Sequence, residues 1–263
     1  MANLQISLAP PKVIEIGSFT VTSGVLASYM VTFLLILLAL HVRKKSQLVP
    51  SRIQIAFEMI MEFFLGMLKS AYGTEKTARR FLPFILTIFL FLLVANQFSV
   101  LPIITSFVST GGPTFKTPTA DWNQTIALAL IVIGGAHIIA FKTSPLRHIN
   151  NFIKFEPFLK IKKPADLADA LLQFFLGLLD IIGEFSKIIS MSARLFGNIF
   201  AGEVIILVIA SIASFSAYIV PIPFLGLSMF SSLVQAFVFT FLAIFFMAGT
   251  VTSVAAPQEG NQS

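Results

Sequence analysis

Long apolar runs separated by short polar stretches dominate the chain, and the runs have no period of two. "FLPFILTIFLFLLVA" (81–95) therefore reads as helix in an apolar medium, not as one of the alternating strands of a membrane β-barrel. A first span runs from about Val25 to Val42 and stops at Arg43, Lys44 and Lys45. In "PSRIQIAFEMIMEFFLGMLK", Gln54, Glu58 and Glu62 recur every four residues, which puts a polar stripe on an apolar helix. Such a helix lies along the interface or against neighbouring helices and does not cross. Phe81 to Leu101 forms the second span, entered from Lys76, Arg79 and Arg80 and left at Pro102. The loop "STGGPTFKTPTADWN" carries turn residues and an interfacial Trp122, and a third span follows from about Thr125 to Phe141. Lys142 to Pro164 is basic and punctuated by Pro145, Pro157 and Pro164, and it is the longest stretch outside the membrane. No proline interrupts Ala165 to Val220, a length that as unbroken helix would reach roughly 80 Å. That helix is expected to be strongly tilted, bent near Gly183 or Gly197, or partly outside the bilayer. "PIPFLG" then makes a turn, and a last helix from about Phe224 to Val251 precedes a short polar tail.

The pattern predicts an all-α, polytopic membrane protein in one integral membrane domain. It has five crossing helices, one amphipathic interfacial helix and a long tilted helical hairpin at the C-terminal end. The parts are an external segment 1–24, first spans and cytoplasmic loops 25–164, the hairpin 165–251 and a polar tail 252–263. Composition agrees: 56% of the 263 residues are hydrophobic and 11% charged, against about 25% charged in soluble domains. The net charge of +6 marks topology and not a nucleic-acid partner, because 14 of the 18 basic residues fall on one side of the predicted spans, from Arg43 to Lys163. By the bias of basic loops toward the cytoplasm, the N-terminus lies outside and the C-terminus inside. There is no cysteine, which excludes disulfides, thiolate metal sites and cysteine nucleophiles. The first 24 residues lack a basic region followed by an apolar core, so no removable signal peptide is expected.

Charge is concentrated where it is least expected. "SMSARLFGNIFAGE" (190–203) puts an arginine, an asparagine and a glutamate in apolar surroundings. At 100° per residue, Asp180, Lys187, Ser190 and Asn198 all point within about 40° of Arg194, whereas Glu203, nine residues on, points to the opposite side. An unpaired arginine at mid-bilayer costs from about 2.5 to more than 10 kcal/mol, so something compensates it. The stripe either faces a partner with an acid at that depth or is satisfied by carbonyls or an acid of this chain. A guanidinium stays protonated and cannot relay protons, but it attracts a carboxylate and favours its ionised form. Glu203 can titrate and exchange protons with water, or it can be a helix-packing acid. In "LVQAFVF", Gln235 can brace Arg194 or serve as an interhelical hydrogen bond. Glu184 either pairs with Lys187 or extends an inner vestibule. His41, His137 and His148 sit near span ends, where an interfacial role is the ordinary one. No metal-ligand spacing, phosphate loop or hydrolytic triad occurs, so no bond chemistry and no cofactor are expected.

These residues resemble those of subunit a of the F-type ATP synthase, and the resemblance covers most of the chain. "SARLFGNIFAGE" is similar to the family's most diagnostic motif, with Arg194 on its essential arginine, Asn198 on its asparagine and Glu203 on its acidic channel residue. "VQAF" puts Gln235 on the last-helix glutamine. "RRFLPFILTIFLFLLVANQFSVLP", with Asn96, resembles the second-span signature, "PTADWNQTIALAL" the start of the next span, and Pro50, Gln54 and Glu58 the earlier amphipathic pattern. Asp180 and Lys187 match polar positions that the family has on the inner side. The resemblance implies a bacterial plasma membrane and a proton-translocating stator. Its partners would be the c-subunit ring, the b subunits of the peripheral stalk and, indirectly, the soluble F1 head. It implies two half-channels, one ending near Glu203 and one lined by Asp180, Glu184 and the inner vestibule, separated by Arg194. Some members carry a histidine seven residues before the glutamine, where this chain has Ser228, so water held by serines and Glu203 is expected to take over that role. A rotor-independent transporter or proton channel is the alternative; it would show an internal repeat or broken helices at midplane, and the halves of this chain show no duplication. A plain scaffold would not need Arg194. Proton or sodium coupling is decided on the ring, not here.

Overall fold

In a computed structural model, residues 12–16, 19–44, 50–98, 108–109, 112–113, 117–152, 164–212 and 220–255 are described. Lys45, Leu101, Pro102, Lys116, Pro157 and the tail after Ala255, all used in the topology expectation, lie outside them. Seven helices carry the architecture of the described residues: α1 (Ser23–Lys44), α2 (Arg52–Tyr72), α3 (Glu75–Phe98), α4 (Trp122–Thr143), α5 (Pro145–Phe152), α6 (Pro164–Ile212) and α7 (Pro221–Ala255). Four are long and apolar enough to cross a membrane: α1, α3, α4 and α7. The long α6 is not among them, and charged residues recur along it from Asp180 to Glu203. The chain is thus a polytopic helical membrane protein with four candidate spans among the described residues.

Local chemistry explains both ends of α2 and the start of α4. Ser51 caps α2, its hydroxyl accepting from the Gln54 N–H at 3.4 Å, and Gly73 closes it at φ 71°, donating its N–H to the Lys69 carbonyl at 2.9 Å. A side chain at Gly73 would be strained by that left-handed backbone. Asp121 caps α4 by accepting from the Asn123 N–H at 3.0 Å. The stripe on α2 is real, with Gln54 Nε2 donating to Glu58 at 2.9 Å. Nearer its C-terminal end α2 buries Phe64 and Leu68 against α3 and α7.

Several expectations are corrected. The external N-terminal segment and the loop before α4 carry short strands that no pattern announced: β1 (Lys12–Ile16) and β2 (Phe19–Thr22) form an antiparallel hairpin running into α1, and β3 (Val108–Ser109) pairs with β4 (Gly112–Pro113). Four-residue pairings such as these carry too little periodicity to stand out from a loop. Lys76, Arg79 and Arg80 do not precede the second span but form its first turns, where Arg79 meets Glu75 at 2.7 Å and Glu75 meets Lys69 at 2.8 Å. "PIPFLG" is the start of α7, not a turn; its two prolines occupy the first and third helical positions, whose N–H groups lack helical acceptors anyway. The helix α6 runs without a break through Gly183 and Gly197, and its 49 residues reach roughly 74 Å.

The core lies where α2, α3, α4, α6 and α7 converge. Phe64, Phe89, Ile133, Met191, Leu195, Phe239 and Ile244 are buried there, with Ala129, Ala136, Ala236 and Ala243 allowing close helix contact. Asn96 of α3, fully buried, donates to the Ser232 carbonyl of α7 at 3.3 Å and ties the two helices. Along most of the first half of α6 apolar side chains such as Leu171, Phe175, Ile182 and Phe185 remain exposed.

Candidate functional site

The site is built on α6, which packs against α4 and α7 along one side and leaves the other uncovered. Asp180, Ser190 and Arg194 are exposed, Lys187 and Asn198 half-buried. The predicted stripe is therefore an outward one, with its last member at the edge of the α6–α7 contact. There Ser231 donates its hydroxyl to Asn198 Oδ1 at 2.7 Å, and Asn198 Nδ2 donates to the Ser231 carbonyl at 3.4 Å. Arg194 makes no hydrogen bond or ion pair with any described residue. Of the two readings of Gln235, no brace to Arg194 forms among the described residues: Gln235 is buried, its Nε2 has no hydrogen-bond partner there, and Arg194 is exposed on the outward face.

Glu203 lies on the other side of α6, as the angular argument requires. It is half-buried, and the Thr117 hydroxyl, at the entrance of the 3-10 turn Pro118–Ala120, donates to its carboxylate. Ser228 stands against the same place, since its Oγ is 2.8 Å from where a side chain at Gly202 would begin. Close approach of α7 is possible there because residue 202 is glycine. Thr117 was not legible as a partner of Glu203, because 86 residues separate the two and only the packing of the turn on α6 joins them.

A second polar cluster gathers toward the N-terminal end of α6. Of the two readings of Glu184, the pair is formed: Lys187 Nζ is 2.6 Å from Glu184 Oε1. The same carboxylate also lines a cleft of about 420 Å³, together with Asp180, Lys187, His148, Asn151 and Ser253. Asp180 and Lys187 share the cleft. Two of the three histidines are not merely interfacial. His137 Nε2 of α4 is 3.3 Å from Glu184 Oε2, and His137 Nδ1 is 3.3 Å from His148 Nε2 of α5. Burial, and then the neighbouring His137, hold His148 below the ordinary imidazole value of 6.5, with Glu184 opposing. The sequence signal for this trio was two histidines near span ends and, separately, Glu184 three residues from Lys187. Among the described residues no cluster of histidines and carboxylates is arranged to hold a metal ion.

The arrangement is an unshared cation on an outward helix face, with a titratable cluster to either side of it along the helix. Such groups can bind ions and exchange protons. Residues 25–248 match the model of a family described as the ATP synthase A chain. The chain is 34% identical over 241 residues to "ATP synthase subunit a, sodium ion specific" of Propionigenium modestum, covering 89% of this chain and 75% of that one. It is 30% identical over 243 residues to ATP synthase subunit a of Moorella thermoacetica, with 92% and 96% covered. It is also 30% identical over 224 residues to the subunit a of Geotalea daltonii, with 85% of each covered. An outward arginine on a long helix and a match over nearly the whole chain lead to one conclusion: this chain belongs to the ATP synthase subunit a family, whose members are the membrane stator subunits of ion translocation.

Proposed function

We propose that Arg194 is the gate between two ion half-channels and that an acidic residue of the c-subunit ring supplies its missing counter-charge. The observation that carries this reading is the isolation of Arg194: exposed, without a described partner, and offset from both titratable clusters. Glu203 is nine residues and Glu184 ten residues away, roughly 13 Å and 15 Å along the helix axis. At such spacings neither Glu203 nor Glu184 can contact or hydrogen-bond the guanidinium, whereas a ring carboxylate sliding past it can.

In this reading a proton enters at Glu203, Thr117 and Ser228 and neutralises a ring carboxylate, which can then face lipid. After rotation that site reaches the cleft of Asp180, Glu184 and Lys187 and releases its proton as Arg194 stabilises the carboxylate. Arg194 cannot pass the proton itself, so flow between the half-channels requires rotation. Ser190 and Asn198 keep the approach polar, and Gln235 is a buried polar neighbour on α7. The α6 helix is the proposed fifth crossing, with the N-terminus outside and the C-terminus in the cytoplasm of a bacterial cell; the lopsided basic residues support that orientation. Peripheral-stalk b subunits hold the chain against the ring, and the F1 head is coupled indirectly. One relative is named sodium ion specific; the same gate serves either ion, since the ring carboxylate carries it, and the proton is the proposed ion. The test is Arg194→Ala in reconstituted holoenzyme. Ion-driven ATP synthesis should be lost, and wild-type synthesis would refute the gate.

A further inference from the structure

His148 lines the inner cleft and His137 stands behind it, two imidazoles for which the proposed function has no use. His137, His148 and Glu184 come from three different helices, yet they form an unbroken run of contacts from Oε2 to Nε2 and from Nδ1 to Nε2, each at 3.3 Å. Phe152 packs against both rings, at 5.7 Å from His137 and 5.3 Å from His148, and shields the contact between them. Two imidazole nitrogens that face each other accommodate one proton between them; a second would set N–H against N–H. The pair is therefore suited to holding a single shared proton.

We propose that His137 and His148 are proton-transfer groups of the inner half-channel, serving as the shared acceptor behind Glu184. This inference rests on the stator reading above and names further residues for it. A proton arriving on Glu184 leaves Oε2 for His137 Nε2. One O–H bond breaks, one N–H bond forms, and the carboxylate is regenerated beside the new imidazolium. The Nδ1–H of that imidazolium donates to His148 Nε2, which spreads the charge over two rings. The reverse transfer returns the proton to Glu184 and then to buffer in the cleft. Lys187 Nζ donates to Oε1 and leaves Oε2 to face His137.

The surrounding charges fit this role. From α6 the pair faces Glu184 and Lys187, with Asp180 on the same cleft wall. On α5, Arg147 donates to the Val254 carbonyl at 3.1 Å. Lys142 of α4 is exposed, and α7 contributes only uncharged residues to the cleft. Burial keeps His148 neutral further into the acid range than a free imidazole. His148 is thus the member of the pair whose neutral form is favoured.

The test measures outward-to-inward proton flux through the reconstituted holoenzyme at fixed driving force, while the inner pH is varied, for His137→Gln and His148→Gln. Assembly of each variant is checked by co-purification of the whole complex. The wild type should show an imidazole-range ionisation in its inner-pH profile. Each variant should lose that ionisation, fall several-fold in flux at neutral inner pH, and recover when imidazole is added on the inner side. A merely structural role would give neither the altered profile nor the recovery. An assembled variant with a wild-type profile and no response to imidazole would overturn the relay. Arg194→Ala in parallel separates the two ideas: if it abolishes synthesis while both histidine variants behave as wild type, the relay is wrong and the stator reading stands. If Arg194→Ala retains synthesis, the stator reading fails first.

Discussion

Replacing Ser231 by alanine removes the donor that holds Asn198, and with it the tightest side-chain tie between α6 and α7 near Arg194. The lost bond is short, 2.7 Å from Ser231 Oγ to Asn198 Oδ1, while its companion from Asn198 Nδ2 to the Ser231 carbonyl is at the weak limit of 3.4 Å. A neutral hydrogen bond contributes about 0.5–1.5 kcal/mol net, and interhelical ones in membranes average about 0.6 kcal/mol. Both residues are half-buried at the edge of a face proposed to be wet, where a hydrated Oδ1 recovers part of the loss. The coupling between them should therefore be about 0.6 kcal/mol and not the upper figure. The assay is a double-mutant cycle on Ser231→Ala and Asn198→Ala, measuring unfolding free energy in bicelles by steric trapping, with Ser231→Thr as the variant that keeps a donor. Additivity of the two alanine changes within about 0.3 kcal/mol would refute the contact. A coupling above about 1.5 kcal/mol would refute the wet face, because it would mean that water does not reach Asn198.

Thr117→Val, which keeps the shape and removes the hydroxyl donated to Glu203, should slow ion translocation from the outer side by about tenfold, as expected for a hydrogen bond to a charged group, while Thr117→Ser preserves it; an unchanged rate in the valine variant would show that the bond plays no part in entry. Phe89→Ala opens a cavity between Phe64 and Phe237, whose rings lie 4.8 Å and 4.7 Å from that of Phe89. In lipid the ring stays in an apolar medium on unfolding, so only the packing part of the usual loss remains, about 1–2 kcal/mol in place of the about 3–5 seen in soluble cores; a soluble-like value in the same steric-trapping assay would contradict the membrane reading of this core.

Sequence alone determined the helices, because their causes are local. Hydrophobic runs, the four-residue stripe of Gln54, Glu58 and Glu62, and the proline-free stretch that became α6 act over a few residues each. The direction of Arg194 relative to Asp180, Ser190 and Glu203 was equally legible, since 100° per residue fixes it once the helix exists. The expectation failed where local signals were ambiguous: prolines that open α7 look like a turn, and strands of two to five residues look like loop. Gln235 was left open between bracing Arg194 and an interhelical hydrogen bond, and the packing of α7 buries it with its Nε2 without a described partner. What the tertiary structure decided was which distant groups meet: Thr117 with Glu203, Asn198 with Ser231, and His137 with His148 and Glu184. Those meetings depend on how a loop and a short helix settle on α6. No periodicity encodes that settling, because it follows from the shape of the whole helix packing.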